Sequence, residues 1–129
     1  MTRLKDYFFA RPDRMGLKPG TYKYDGKEEL RGHRFHLRVD PKGKGVLLID
    51  ASKIIFLNGT ALDYVRCILE GKSGVETSAY MRTRYRHLDK SKSMEHYARV
   101  KEQLDAYLKG DENVIQIMGT ENPAIGADD

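Results

Sequence analysis

The side chains that most often carry metal or acid–base chemistry are few in this sequence and stand far apart. Four histidines occur, at positions 33, 36, 87 and 96. His33 and His36 are three residues apart on a predicted strand, so their side chains point to opposite faces and cannot hold one metal ion through that strand. His87 and His96 fall in different predicted helices, and neither has an acidic residue four positions away to complete a ligand pair. We therefore predict structural roles for all four and no metal site.

The other motifs that could mark an active site are incomplete. Cys67 is the single cysteine, and it lies in the middle of a predicted helix, whereas a nucleophilic thiol needs an electropositive, partly exposed position. One cysteine also excludes a disulfide within the chain and a cysteine-ligated zinc or iron–sulfur site. The stretch 40–45 is rich in Gly and Lys, but it lacks the Gly-Lys-Ser/Thr ending of a phosphate-binding loop. We predict that the chain is not an enzyme and has no catalytic residues and no cofactor.

Length and composition are those of one ordered domain. The chain has 129 residues, of which 40% are apolar and 33% charged, enough for a core without disulfide or metal support. No apolar run approaches the roughly 18 residues of a membrane span. The first nine residues mix charged with aromatic side chains, unlike a secretory signal. We therefore expect a cytoplasmic protein with no membrane partner.

Periodicity predicts an α+β domain of winged-helix type, with a three-stranded antiparallel sheet followed by three helices. Residues 33–110 form this domain, between an extended N-terminal arm (1–32) and a flexible C-terminal tail (111–129). The arm is dense in Gly and Pro, which interrupt long elements. Tyr22 and Tyr24, at a spacing of two, are compatible with a short strand within it.

The predicted strands lie between residues 33 and 57. Apolar and basic residues alternate from 33 to 39, which is typical of a strand with one buried face. Two apolar runs, 46–49 and 54–57, follow around a four-residue connection and predict a hairpin. Because consecutive positions are apolar in both runs, both faces of this hairpin should need cover. Helices can cover one face, and the sequence leaves open what covers the other.

Helix boundaries are predicted from capping residues and glycines. Thr60 and Asp63 fit a capping box at the start of the first helix, which a glycine ends. The second helix is expected over residues 76–87. The third begins with Ser93 as its N-cap and ends at Gly110, with an apolar stripe at helical spacing.

Positive charge is concentrated around the second predicted helix and its end. Between Tyr80 and Lys92, five cations stand against one acid, a local excess equal to the net charge of +4 of the whole chain. These cations are Arg82, Arg84, Arg86, Lys90 and Lys92. Such a patch is compatible with a solvated helix face, with docking of an acidic partner, or with salt-sensitive binding of nucleic acid. The third helix carries equal numbers of cations and acids and is poorly suited to reading a DNA groove, so nucleic acid is the less favoured partner.

The stretch from Gly45 to Leu108 resembles the PqqD-like family, small peptide-chaperone domains also called RiPP recognition elements. The resemblance lies in the segments 45–50 (Gly-Val-Leu-Leu-Ile-Asp), 53–59 (Lys-Ile-Ile-Phe-Leu-Asn-Gly) and 60–65 (Thr-Ala-Leu-Asp-Tyr-Val), continuing to 69–71 (Leu-Glu-Gly). The chain is also similar to the N-terminal recognition domain of some radical SAM peptide maturases, but it lacks their three-cysteine cluster motif. The resemblance therefore implies either a separate maturase or a chain that is a fragment of a larger one.

The resemblance implies a function in natural product biosynthesis. Such domains bind the leader segment of a ribosomally made precursor peptide as an added strand at the sheet edge and present it to a radical SAM modifying enzyme. Here the edge would be Lys53, Ile54, Ile55, Phe56 and Leu57, and the third helix would line a groove with Tyr97, Lys101, Leu104 and Leu108. The same helical stripe is typical of a core-packing helix, so both interpretations stay open. An unpaired apolar edge is an aggregation hazard unless something covers it, which independently favours strand addition.

Three other hypotheses remain. The strand-like run Val114–Met118 could itself pair at that edge. Pairing in its own chain would mean autoinhibition, and pairing in a neighbouring chain would give a homodimer by strand exchange. A winged-helix nucleic-acid-binding regulator that uses the 82–92 basic patch is the alternative function. A structural dimer without a small ligand is the third.

Overall fold

The structure, a computed structural model, describes residues 18–110. In that range four strands form one antiparallel sheet in the order β1-β2-β3-β4, and three helices follow. The strands are β1 (Gly20–Asp25), β2 (Arg34–Val39), β3 (Gly45–Ile49) and β4 (Lys53–Leu57), and the helices are α1 (Gly59–Leu69), α2 (Gly74–Arg84) and α3 (Lys90–Leu108). A short 3-10 helix (Glu28–Leu30) connects β1 to β2. The α+β class, the antiparallel sheet and the three helices are thus confirmed.

The sheet has four strands, so the prediction of a three-stranded sheet was wrong. β1 pairs in antiparallel register along all of β2, and it lies in the segment 1–32 that the sequence predicts as an extended arm. Tyr22 and Tyr24 alternate with exposed residues and pack against the core, which is why this Gly- and Pro-rich stretch forms a strand. The first 17 residues and the whole predicted tail, including Val114–Met118, lie outside the described residues.

The core lies between one face of the sheet and the helices. This inner face is built from alternate residues of each strand: Phe35, Leu37 and Val39 on β2, Leu47 and Ile49 on β3, and Ile55 and Leu57 on β4, all buried. The helices add Leu62, Val65, Leu69, Met81, Val100 and Leu104. Burying each such large side chain contributes about 1.5–3 kcal/mol, so the period-two alternation of β2 to β4 specifies which face meets the helices. Within residues 18–110, no helix combines the length and apolar character that crossing a membrane requires.

Two tight connections set the register of β2, β3 and β4. After β2, the Asp40 carboxylate accepts hydrogen bonds from the backbone N–H groups of Lys42 and Lys44, each at 2.9 Å. The Gly- and Lys-rich stretch is therefore a β-turn. Between β3 and β4, Ile49 pairs with Lys53, so the connection has three residues instead of the four predicted.

The first helix begins at a different cap from the one the sequence predicts. Asn58 caps α1, because its side chain accepts a hydrogen bond from the Ala61 N–H at 2.8 Å. The predicted capping box of Thr60 and Asp63 was therefore wrong. Thr60 is buried in the first turn, and Asp63 is paired with Arg84 of α2.

The other two helices also begin earlier than predicted. A capping box of Ser73 and Glu76 starts α2, which ends at Arg84 and so falls short of the predicted range 76–87. Asp89, not Ser93, caps α3 and adds one turn to its N-terminus. The predicted glycine at the end of α3 is found there, in the left-handed conformation.

Candidate functional site

One free edge of the sheet is formed by β4. It pairs with β3 on one side, and no other strand of residues 18–110 lies on its other side. Its side chains alternate: Ile55 and Leu57 are buried in the core, whereas Ile54 and Phe56 are 43% and 63% exposed. The strand 53–57 therefore presents an unpaired backbone and two large apolar side chains outside the core.

The backbone of Ile54 and Phe56 faces away from β3. The Tyr107 hydroxyl, on α3, donates a hydrogen bond to the Ile54 carbonyl at 3.4 Å, so this carbonyl points to the free edge. Because the direction of backbone groups alternates along an antiparallel strand, the N–H of Ile54 and both backbone groups of Phe56 share the outward direction. Beside the carbonyl that Tyr107 uses, the edge offers three backbone groups to an incoming strand.

Lys53 fixes the start of β4 against the end of α3. Its Nζ donates to the carbonyl oxygens of Tyr107 at 3.2 Å and Leu108 at 3.5 Å, and it lies 5.4 Å from the centre of the Tyr107 ring. A cation stabilises a helix C-terminus because the last carbonyls carry partial negative charge. Lys53 therefore holds the end of α3 beside β4, and its ammonium group faces the last carbonyls of that helix.

The structure does not bring together at this edge the four α3 residues predicted to line a groove. Tyr97 donates to a backbone carbonyl of the α1–α2 connection at 3.4 Å, and Lys101 Nζ lies 3.3 Å from a carboxylate oxygen of Glu29, in the β1–β2 connection. Leu104 is fully buried in the core. Leu108 is half-buried and meets β4 through its carbonyl. The helical stripe is thus divided among the core, the β4 edge and a separate site.

Tyr107 is the α3 residue that the predicted groove omits. Its side chain is buried, and its hydroxyl reaches the edge carbonyl of Ile54. A buried tyrosine hydroxyl usually requires a hydrogen-bond partner, and an edge strand has unpaired carbonyls. A tyrosine near the end of an otherwise apolar stripe was therefore the sequence signal that could have placed this residue at the edge.

A cavity of about 420 Å³ lies at the separate site, among the 3-10 helix, the α1–α2 connection and α3. Tyr97 and Lys101 line it, together with residues of the 27–30 turn and of the 71–76 stretch. Three lysines and three glutamates contribute to its wall. The cavity therefore has no charge excess that would select an ionic ligand.

The cysteine and two of the histidines occupy structural positions. Cys67 is fully buried, and burial raises the pKa of its thiol to about 11, so the thiol is protonated at neutral pH. His96 is buried with its Nδ1 3.4 Å from the Tyr64 hydroxyl, and His33 Nδ1 lies 2.7 Å from an Asp50 carboxylate oxygen. Among residues 18–110, no three His, Cys, Asp or Glu side chains are grouped so that they could hold a metal ion.

One cation of the basic patch predicted over residues 82–92 takes part in an internal ion pair, and the other four are exposed. The Arg84 side chain is 13% exposed, and its Nε donates to the buried Asp63 carboxylate at 2.6 Å, where the Tyr85 hydroxyl also donates at 2.6 Å. This pair ties α2 to α1. The remaining cations of the patch are exposed around the α2–α3 connection: Arg82, Arg86, Lys90 and Lys92.

No protein-family model, curated protein or solved structure matches the chain. The candidate site lies at the free edge of β4. It consists of the apolar edge strand β4, its outward-facing backbone groups and the α3 tyrosine beside them.

Proposed function

We propose that this chain is a non-catalytic peptide-recognition module of winged-helix type in the cytoplasm. Its β4 edge takes the leader segment of a ribosomally made precursor peptide as an added strand and presents it to a separate radical SAM modifying enzyme. The observation that carries the proposal is the edge itself, where Ile54 and Phe56 are exposed and their backbone faces outward. The resemblance of residues 45–108 to the PqqD-like family supports the choice of a leader peptide and of that enzyme.

Strand addition suits this edge for a physical reason. Each backbone hydrogen bond that the peptide forms contributes roughly 0.5–1.5 kcal/mol net, and these bonds do not depend on the peptide sequence. Selectivity comes from side chains, which alternate along the added strand. Those on one side would meet the exposed Ile54 and Phe56, and those on the other would meet the end of α3 at Tyr107.

Titration of the ¹⁵N-labelled protein with synthetic leader segments tests the proposal. The probes are the N-terminal segments of the short peptides encoded beside this gene. We expect amide shift changes concentrated at residues 53–57 and at Tyr107. Two versions of the leader are compared, one N-methylated at its odd residues and the other at its even residues. Because only alternate N–H groups of an added strand face β4, one version should lose binding and the other should keep it.

Phe56→Ala and Val75→Ala are the matched protein variants. Both remove an exposed apolar side chain, but Val75 lies on α2, away from the edge. We expect Phe56→Ala to weaken leader binding about tenfold and Val75→Ala to leave it unchanged. Absence of shifts at 53–57 with every neighbouring precursor, or equal effects of the two variants, would contradict the proposal.

Nucleic-acid binding is the second candidate, and the exposed cations around the α2–α3 connection favour it. Arg84 does not belong to that surface, because its guanidinium pairs with Asp63. The test is anisotropy of labelled duplex DNA with the wild type and with Arg86→Ala/Lys90→Ala at two salt concentrations. This hypothesis predicts salt-sensitive binding that the double variant reduces, and unaltered binding in the variant would exclude the patch.

A further inference from the structure

The sheet face opposite the helices, here the outer face, has two chemically different halves. In the strand register, one row across the sheet consists of Lys23, His36, Leu48 and Ile54, and the next consists of Thr21, Arg38, Val46 and Phe56. β1 and β2 therefore supply polar and basic side chains to this face, whereas β3 and β4 supply apolar ones. The division follows the strands, so each half is continuous.

The apolar half is uncovered within the described residues. Three large apolar side chains are exposed in residues 18–110, and two of them, Ile54 and Phe56, lie on this half. Val46 and Leu48 beside them are half-buried. Single exposed apolar residues are ordinary, but a contiguous group on a sheet face indicates an interaction surface.

The basic half carries more cations than acids. Lys23, Arg34 and Arg38 are exposed, and none of them forms an ion pair with another residue of the range 18–110. Asp25, opposite Arg34 in the register, is the acid that β1 and β2 place on this face. Asp50, which follows β3, also lies beside Arg34 and accepts a hydrogen bond from its backbone N–H, so three cations stand against two acids. A depression of about 350 Å³ lies at this half, lined by Lys23, Asp25, Arg34 and His36 among others. The basic half is thus suited to receive carboxylates.

We infer that the outer face docks a second protein through an acidic amphipathic surface. The partner's apolar side chains would lie on β3 and β4, and its carboxylates on β1 and β2. A purely apolar partner would bury more cations than acids, which costs free energy, and a basic partner would be repelled. This inference goes beyond the proposed peptide site, because docking uses the side chains of the whole outer face, including the basic half that strand addition does not touch. Ile54 and Phe56 belong to both surfaces.

The size of the outer face predicts a weak and salt-sensitive complex. Four strands about 4.8 Å apart and about five residues long give a face of roughly 15 Å by 17 Å, or about 250 Å². Stable complexes bury roughly 800 Å² on each partner, so this face alone suits a transient contact. Its exposed cations are screened as ionic strength rises, so affinity should fall with added salt.

A synthetic amphipathic helical peptide of Leu and Glu is the probe that tests the inference. The control peptide has the same pattern with Lys in place of Glu. In the ¹⁵N-labelled full chain we expect the acidic peptide to shift the amides of His36, Arg38 and Leu48, and the basic peptide to leave them in place. Equal binding of the two peptides, or shifts confined to other surfaces, would overturn the inference.

Charge-reversed variants make the test specific to this face. We expect Arg34→Glu/Arg38→Glu to raise the Kd for the acidic peptide at least tenfold, while leader binding at the β4 edge is retained. The matched control is Arg86→Glu/Lys90→Glu, which makes the same charge change at the α2–α3 connection and should alter the Kd less than twofold. Equal loss in both double variants would show attraction by net charge alone and would overturn the inference.

Two other possible occupants of the outer face are tested with the full chain in the absence of peptide. Changes of the His36 and Arg38 amide shifts on dilution would show that a second copy of the chain covers the face. Changes of the same shifts on Asp111→Lys/Glu112→Lys would show that the chain's own C-terminal residues cover it. Either result overturns docking of a second protein, and the absence of both supports it together with binding of the acidic peptide.

Discussion

Among single residues, Tyr107 has the largest consequence for the proposed peptide site. Its hydroxyl donates a hydrogen bond to the Ile54 carbonyl, an acceptor that an added strand would also use. We expect Tyr107→Phe to lower the Kd for a leader peptide roughly twofold to tenfold, because one more backbone hydrogen bond becomes possible and contributes about 0.5–1.5 kcal/mol. Isothermal titration calorimetry measures the difference.

Tyr97→Phe is the matched control for this prediction. The Tyr97 hydroxyl also donates to a backbone carbonyl at 3.4 Å, but that carbonyl belongs to Lys72, away from β4. Its removal should leave the Kd unchanged. Weaker peptide binding by Tyr107→Phe would contradict competition and would show that the hydroxyl contacts the peptide.

Because of Cys67, the stability of the fold should fall as the pH becomes alkaline. Burial raises the pKa of its thiol to about 11 in the folded chain, so the unfolded chain loses this proton first as the pH rises. The contribution of the protonated thiol to the stability of the fold is therefore fully present below the pKa of the unfolded thiol, and it is lost progressively as the pH approaches about 11. We expect the free energy of unfolding in urea to fall by on the order of 1–2 kcal/mol between about pH 8 and pH 10.5 from this thiol.

Cys67→Ala isolates that contribution. The variant should be less stable at neutral pH because it loses buried volume, but its stability should decline less steeply at alkaline pH. Tyr24, whose pKa burial and the nearby Glu70 raise to about 12, contributes to the decline in both proteins. Parallel declines in the wild type and the variant would contradict the prediction.

At the scale of elements, α2 is attached to α1 by a buried ion pair and by a cation–π contact, in which the Arg66 guanidinium lies 4.7 Å from the centre of the Tyr80 ring. Met81 is its single large buried apolar side chain, and the Asp63–Arg84 pair supplies the next contact. We expect Arg84→Met to lower the free energy of unfolding by about 3 kcal/mol, because it leaves the Asp63 carboxylate buried without its cation. Arg86→Met, an exposed arginine two residues on, should change it by less than about 0.5 kcal/mol. Chemical denaturation compares the two, and similar small losses would contradict a structural role for Arg84.

The elements that sequence predicts well are those with local signals. The alternation in β2 to β4 and the helical stripes come from residues close in sequence, and the structure has these elements. A short strand at Tyr22 and Tyr24 is compatible with the sequence, but its pairing with β2 as a fourth strand does not follow from it, because two tyrosines are the only alternating apolar signal in this Gly-rich stretch. The cap of α3 was misplaced because Asp89 and Ser93 have similar capping propensity, and only the folded backbone selects one of them. The cap of α1 was misplaced because the spacing of Thr60 and Asp63 imitates a capping box, although Asn58 is the stronger N-cap.

The candidate site, too, can be predicted only in part from the sequence. Chain order favours an edge position for β4, since it is the last predicted strand before the helices, and the structure places it at an edge within residues 18–110. The lining of the site does not follow, because a stripe identifies the buried side of α3 but not the angle at which the helix crosses the sheet. Tyr97 and Lys101 therefore face the β1–β2 side, and Tyr107 reaches β4.

At the scale of the whole molecule, pairing of the strands creates a charge distribution that the linear sequence hides. The cations between 82 and 92 are visible as a run, and one of them is used internally. Lys23, Arg34 and Arg38 are spread over sixteen positions, yet pairing of β1 with β2 places them on one face. The net charge of +4, summed over the whole chain, does not reveal that residues 18–110 form two separate basic surfaces.

The two edges of the sheet also differ, and this difference predicts where unfolding chains first associate. β1 exposes polar residues at its edge, such as Thr21 and Lys23, whereas β4 exposes Ile54 and Phe56. Charged side chains on an edge oppose pairing with another chain. We expect Phe56→Lys to raise the temperature at which light scattering begins by several degrees, with little change in the thermal unfolding midpoint.

Thr21→Lys is the matched control, because Thr21 and Phe56 lie in the same row of the outer face at opposite edges. It adds the same charge to the same face, so a benefit that comes only from net charge would appear in both variants. Association through β4 requires a rise in the scattering onset with Phe56→Lys and almost none with Thr21→Lys. Equal rises would mean that repulsion between whole molecules, and not the exposed β4 edge, controls aggregation.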